Sequence, residues 1–538
     1  MVRGKVWPRD QPEPSTWTVQ LDDTFGVTEG APGIYGYSPV DIYYDNLEVS
    51  PNSAHPLQEA KDADDHGNLH APPPSAPAAP AAPAASTPKA AATHELVEHP
   101  KGPEAPAAMF GETVSRNMVS TAKGLPDDWD PKTGKNIKWQ AKLGSQTHGG
   151  PVVFGNNVYI GTNNESPRDP KYKGDYGVLM AFNKDTGEFQ WQNVHPKLPT
   201  GQVNDWPLEG VCSTPFVQGD RLWYVSNEAH VVCAKAATGE VVWKYDMRKE
   251  LEVFPHNMAA SSPLAKGGIL FVVTGNGVDE GHVNIPAPSA PSFIALDQKT
   301  GKLLWKDNSP GNRILHGSWS SPVYGEAGGR TQVVFPGGDG WLYSFVPETG
   351  ELLWKFDCNP KDSVWDIGGN GTRNNLIATP VFLDGKVYVG VGEDPEHGEG
   401  VGHLYAIDAT KRGDITQTGV VWRREGEDFH RTISTVAIAD GLLYAVDLSG
   451  FLYCLDAATG KLYWTYDALA AVWSSPYVAD GKVYLTDEDG DVAILKHGKE
   501  KQLIREINMG DAIYTTVVAK DGTLYVATRS RLFAIGAK

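Results

Sequence analysis

His256, His282 and His316, together with Asp279, Glu280, Glu393 and Asp394, are the side chains of this 538-residue chain whose types best suit chemistry. Imidazole and carboxylate are ligands of first-row metals, so the set could hold an ion. The same groups would suit a pH-sensitive or protein-binding surface, because histidine changes charge near neutral pH. Their spacing matches no ligand motif, and loops hold most polar residues in any protein, so the sequence leaves the metal unassigned.

A second set surrounds the first. The segments "VFPHN", "DEGHVNIPAPSAPS", "LHGSWSS", "SVWDIGGNGTRNN" and "GEDPEHGEGVGH" add Asn257, Asn284, Trp319, Trp365, Asp366, Asn370, Arg373, Asn374 and His397. A funnel lined by aromatic and hydrogen-bonding groups is what a polar small molecule, a sugar or a peptide requires. Loop-to-loop packing, with Asn and Gly as turn formers, is the plain alternative. Two tempting motifs are discounted. "DEDGD" at Asp487–Asp491 has its glycine out of register for a calcium loop and reads as a hairpin turn. "GNGVDEG" opens no helix and so fails as a nucleotide loop.

The elements that position these residues repeat. "LYCLDAATGKLYWTYD" from Leu452 returns as "VVCAKAATGEVVWKYD", "FIALDQKTGKLLWKD", "LYSFVPETGELLWKFD" and "LMAFNKDTGEFQWQ". A Ser/Thr-Pro strand, a turn and an alternating apolar strand precede each copy, which gives four short strands per unit. Unit starts near Pro151, Pro215, Pro263, Pro322, Pro380, Thr435, Pro476 and Thr516 define eight units, and the eighth stops one strand short. "KNIKWQAKLG", residues 135–144, is an unpartnered strand able to complete it. The expected fold is all-β: an eight-bladed β-propeller with four-stranded antiparallel blades, its ring closed by an N-terminal strand that leaves no sheet edge open. In such blades the first-to-second and third-to-fourth turns share one face, and here these are short Asp-Gly and Thr-Gly turns. Apart from "ATKRGDITQTG" in blade five, the long insertions fall on the other face, with nine of the ten histidines beyond residue 107.

The Asp-x-x-Thr-Gly-x-x-x-Trp unit, as in Asp456, Thr459, Gly460 and Trp464, resembles the tryptophan-docking repeat of the pyrroloquinoline-quinone propeller superfamily. That resemblance implies either a quinoprotein dehydrogenase or a cofactor-free propeller of the BamB type, and it implies the periplasm or cell envelope. In the dehydrogenase branch the cofactor is sandwiched against a channel tryptophan, a calcium ion is held by Glu and Asn, and an Asp acts as base. The alcohol-oxidising enzymes add a disulfide between adjacent cysteines. This chain has no adjacent cysteine pair and no motif that places the base or the calcium set. The expectation is therefore a non-catalytic, monomeric ring with no cofactor, binding a protein partner, a small polar ligand or a carbohydrate on its long-loop face. The alternative is a dehydrogenase using pyrroloquinoline quinone with calcium to oxidise an alcohol or sugar.

The formal charge of −19 argues against a nucleic-acid partner, which would draw a basic stripe. No apolar run is long enough to span a membrane as a helix. Cys212 and Cys233 fall on strands separated by a third, about 10 Å apart at ~4.8 Å per strand, too far for a disulfide. Residues 71–92 are a Pro/Ala-rich tract, so residues 51–106 read as a disordered linker. Residues 1–50, with "GIYGYSPVDIYYDNLEVS", resemble the closing strands of a concanavalin- or laminin-G-like sandwich too short to be whole. The propeller is assigned to residues 107–538.

Overall fold

The repeat unit builds the outer hairpin of each blade, and its residue types explain the geometry. In the computed structural model, Asp456 Oδ1 accepts hydrogen bonds from the Thr459 N–H at 3.0 Å and the Thr459 hydroxyl at 2.9 Å. That Asx turn hands the chain to Gly460, whose φ of 71° belongs to the left-handed region. A glycine is needed there for a second reason. In blade after blade its Cα lies against the tryptophan of the preceding blade: a Cβ on Gly239 would sit 2.5 Å from Trp191 and one on Gly301 2.6 Å from Trp243. The indole N–H then reaches a backbone carbonyl of that next blade, Trp191 to Ala236 at 3.2 Å and Trp422 to Ala457 at 3.0 Å. Asp, Thr, Gly and Trp thus recur because together they fasten one blade to the next.

The structure describes residues 2–4, 19–21, 104–393 and 400–537. Of the first unit of the chain, Met1–Thr87, the described part is one antiparallel pair, Val2–Gly4 with Val19–Leu21. The sandwich-like reading of residues 1–50 and almost all of the linker lie outside the described residues.

The remainder forms eight four-stranded antiparallel blades around an axis. Blades 1 to 7 comprise residues 152–196, 216–246, 264–307, 323–357, 381–430, 437–467 and 477–508. Blade 8 takes three strands from residues 518–535, and Ile137–Lys142 supplies the fourth, pairing antiparallel with Arg531–Ile535. The closing strand alternates buried and exposed residues, and its Trp139 sends an N–H to Lys184 of blade 1 at 2.9 Å. The strand expected to close the ring does so. The core is a series of apolar seams between neighbouring blades, one joining blades 1 and 2 through Trp191 and Tyr224, another joining blades 8 and 1 through Trp139 and Phe182. All four cysteines are buried and unpaired.

Two inner features frame the axis. Residues that open the first strands form a belt in which each backbone N–H donates to the next blade's hydroxyl. Gly150 bonds Thr214 at 2.9 Å, Thr214 bonds Ser262 at 3.0 Å and Ser262 bonds Ser321 at 2.9 Å. The pattern resumes from Thr435 to Ser475 at 3.0 Å and from Ser475 to Thr516 at 2.8 Å. Below it, residues 107–125 run as a strap under the inner strands. Ala107–Ala108 pairs with blade 2, and the Val114, Ser115 and Met118 carbonyls accept from Tyr324, Phe382 and Val478 of blades 4, 5 and 7. Arg116 of the strap is wholly buried, and its guanidinium donates to the Pro322, Ser262, Pro263 and Phe110 carbonyls at 2.8 to 3.1 Å.

Candidate functional site

The first-to-second strand connections are tight turns such as Asp384-Gly385, whose positive φ values of 49° and 70° suit Asp-Gly. They offer little beyond a smooth rim. The opposite face carries the long loops, and two sites form there.

The first is axial. A cavity of about 150 Å³ is walled by belt residues including Thr214, Ser262, Thr435 and Ser475, floored by Phe110, and rimmed by His148, Trp319, Trp473 and Tyr514. His148 stacks on Tyr514 with ring centres 5.1 Å apart, and Trp473 lies 5.1 Å from the same tyrosine. Burial alone would lower the His148 pKa, but the Glu209 carboxylate 2.6 Å away outweighs it and raises the value above the ordinary imidazole level. Burial pushes Glu209 upward in turn, and His148 overrides this and lowers it. A raised histidine contributes stability that is complete below about pH 6.5 and is lost as pH climbs through its folded value; a lowered glutamate contributes above about pH 4.5. The melting-temperature gap between the native chain and His148→Gln is therefore expected to be widest near pH 5.5 and to shrink toward pH 9. A gap independent of pH would contradict the pairing.

The second site lies off the axis, over blades 2 to 4. His256 is in the connection from blade 2 to blade 3, His282 in the long loop of blade 3, and His316 in the connection from blade 3 to blade 4. The His256 and His316 Nε2 atoms are 2.9 Å apart, and those of His316 and His282 are 3.3 Å apart. The His256 Nδ1–H donates to the Val278 carbonyl at 2.8 Å, and the Trp319 indole donates to the His256 carbonyl at 2.9 Å. His256 and His316 are buried; His282 is half-exposed. Backbone contact is so close that a Cβ on Gly277 would lie 2.5 Å from His256 Cβ, and one on Gly368 2.6 Å from His282 Cβ.

The other residues expected at the site divide by role. Asp279 accepts from the Val283 and Asn284 N–H groups and from the Asn284 amide, which shapes the loop that presents His282. Glu280 accepts from Gln202, and Asn257 adopts a φ of 56° with its N–H on the Val203 carbonyl at 2.7 Å. Trp365 donates to the Arg313 carbonyl, Asp366 is exposed, and Asn370 caps its own turn at the Ile367 carbonyl. Arg373 is buried, bonded to the Asp339 carbonyl and ion-paired to Asp357, while Asn374 bridges to Asn359 and Val401. These last two brace the loops they belong to. Glu393 is fully buried, 3.8 Å from Arg431; Asp394 and His397 lie outside the described residues. The structure thus brings the three histidines and Trp319 together and spreads the rest across the same face.

Sequence reasoning missed the axial rim. His148 lies on the long-loop face as expected, but Trp473 and Tyr514 come from the last two blades and carry no local signature beyond standing two residues before the belt residues Ser475 and Thr516. The rim also bears on a calcium-held quinone. Calcium takes six to eight oxygen donors, carboxylates foremost, and the residues lining the axial cavity include no carboxylate.

Comparison with known proteins follows the fold. The family model described as outer membrane protein assembly factor BamB matches residues 175–411 and 400–503. An outer membrane protein assembly factor BamB of Moranella endobia (strain PCIT) is 23% identical over 65% of this chain and 77% of its own. A polyvinylalcohol dehydrogenase of Sphingopyxis sp. (strain 113P3) is 21% identical over 54% of this chain and 51% of its own. Among solved structures, a europium-containing methanol dehydrogenase superposes with a TM-score of 0.55 at 14% identity, covering 80% of this chain and 97% of that one, which shows a shared fold.

Proposed function

The chain belongs to the family described as outer membrane protein assembly factor BamB, and from that premise we propose that it is a non-catalytic platform of the cell envelope that docks a protein partner on its long-loop face. The observation that carries this reading is where apolar surface is left uncovered. Val283, Val364, Val401 and Leu469 are 65%, 57%, 53% and 85% exposed, above the other exposed large hydrophobics, and every one lies on the long-loop face. The loops bearing Val283 and Val364 touch where Gly368 meets His282, and Trp365, next to Val364, is half-buried. Apolar groups presented on ordered loops mark an interaction surface. Among the described residues, no helix is long and apolar enough to cross a membrane.

The test places a photo-crosslinking residue at Val283, Val364 or Leu469, and for comparison at Asp384, Asp480 or Asp521 on the turn face, in cells expressing the full chain. Adducts of discrete mass from the first set and none from the second are expected; the reverse pattern would overturn the proposal. The similarity to polyvinylalcohol dehydrogenase supports a second reading, a quinoprotein oxidising an alcohol. Reconstitution with pyrroloquinoline quinone and calcium distinguishes it. We expect no substrate-dependent dye reduction, and saturable cofactor binding with turnover abolished by Asp366→Asn or Glu393→Gln would favour the enzyme.

A further inference from the structure

With all three rings neutral, the contacts within the off-axis histidine cluster cannot all be separate two-centre hydrogen bonds. A carbonyl only accepts, so the His256 Nδ1 facing Val278 carries a proton. In a neutral ring the His256 Nε2 is then a lone pair, directed at His316 Nε2 2.9 Å away. The His316 Nε2 is also 3.3 Å from His282 Nε2. A ring nitrogen offers one proton or one lone pair, never both. If His316 donates to His256, its Nε2 has no second proton to give to His282. If it accepts from His282, it faces the His256 lone pair. The remaining arrangement makes wholly buried His256 an imidazolium, against the cost of burying charge.

A cation bound by three lone pairs would engage all three nitrogens at once. We propose that His256, His282 and His316 form a mononuclear centre for a late first-row divalent metal, with zinc as the ion the geometry fits. Zn–N bonds of about 2.0–2.1 Å at tetrahedral angles place ligand nitrogens roughly 3.3 Å apart. The observed separations are 2.9 and 3.3 Å, and all three donor atoms lie within 4.8 Å of one another. Three neutral imidazoles select zinc, cobalt, nickel or copper over calcium and magnesium, which prefer oxygen. The surroundings are those of a metal site. The Nδ1–H of His256 on a backbone carbonyl fixes its tautomer and aims the Nε2 lone pair at the centre. Trp319 packs edge-on to His316 at 5.0 Å and holds the His256 backbone through its indole N–H. Asp279 builds the loop turn that projects His282, the half-exposed member, whose φ is 54°. Four other histidines of this face, His148, His195, His230 and His430, pair instead with carboxylates, so the mutual approach of these three is particular to this cluster. Three protein ligands fill three positions of a tetrahedral ion and leave the fourth for a ligand from outside the triad.

This inference is independent of the docking proposal, and each can fail without the other. The experiment uses the full chain, freed of metal by a chelator and titrated with cobalt(II). One equivalent is expected to bind with the intense visible absorption of tetrahedral cobalt, to be displaced by zinc and to be unaffected by calcium. His282→Ala, on a loop and half-exposed, is expected to leave the metal-free melting temperature unchanged while weakening zinc binding about 100-fold and abolishing the zinc-induced rise in melting temperature. Absence of stoichiometric binding, a weak octahedral cobalt spectrum in the native chain, or undiminished zinc affinity in His282→Ala would each overturn the proposal. The native-chain spectrum decides even if the variant proves unstable.

Discussion

Arg116→Ala is expected to lower the unfolding free energy by about 3 kcal/mol or more, although Arg116 belongs to no blade. The guanidinium satisfies carbonyls of Ser262, Pro263 and Pro322 in fully buried contacts, plus that of Phe110. Each buried acceptor left without a donor costs about 1–3 kcal/mol. Burial of the charge works against the native residue and offsets part of this sum. Arg116→Lys should fall between, because one ammonium cannot span four carbonyls held by two blades and the strap. The loss should be accompanied by faster hydrogen exchange at the Tyr324, Phe382 and Val478 amides, which donate to strap carbonyls. Unchanged melting together with unchanged exchange at those amides would show that the strap holds without its arginine.

Trp191→Ala should cost a comparable amount, about 3–5 kcal/mol, the range for removing a buried large aromatic. The ring is 8% exposed, packs on Gly239 and bonds the Ala236 carbonyl. Trp191→Phe isolates the hydrogen bond and should cost about 1 kcal/mol of polar energy beyond the lost ring area. Gly239→Ala attacks the same contact from the other side, since its φ is 73° and its new methyl would meet the indole. Denaturant midpoints that do not move in either variant would remove the docking tryptophan as the fastening between blades. Trp243 is a poorer probe: it lies against Gly301 in the same manner, but the ring is only half-buried and its Nε1 lacks a hydrogen-bond partner.

The blades were legible because everything that makes one is local. Alternation, Asp-Gly and Thr-Gly turns and the trailing tryptophan all act within a few residues, and the missing eighth outer strand pointed directly to Ile137–Lys142. The asymmetry of the two faces followed from loop length alone. The histidine cluster was legible only as candidates. His256, His282 and His316 stand 26 and 34 residues apart, on three separate loops, and no ligand spacing survives when the ring rather than the chain sets proximity. For Arg373 and Asn374 the sequence shows only Arg and Asn in a glycine-rich loop, which read the same whether they bind outward or brace inward; their contacts to Asp357 and Asn359 arise from the fold. The strap was illegible for another reason. Its bonds run largely through backbone carbonyls and one arginine in "TVSRNMVS", and backbone bonding leaves no periodic trace in residue types.

The closing strand also sets a waiting time. During synthesis Ile137–Lys142 emerges well before its partner Arg531–Ile535. The two are separated by roughly 390 residues (531 − 142), so at about 5–20 residues per second the strand spends on the order of 20–80 s without its neighbour. Throughout that interval the apolar faces of Ile137, Trp139 and Ala141 stand on an unpaired edge, the arrangement most apt to capture a strand from another chain. The inner belt gives little help at that junction, because blade 1 contributes Gly150 where other blades contribute a hydroxyl. The last blade must therefore be completed by a contact between distant parts of the chain, and the yield of closed rings is a race between the ribosome reaching Ile535 and a neighbouring molecule reaching Trp139 first.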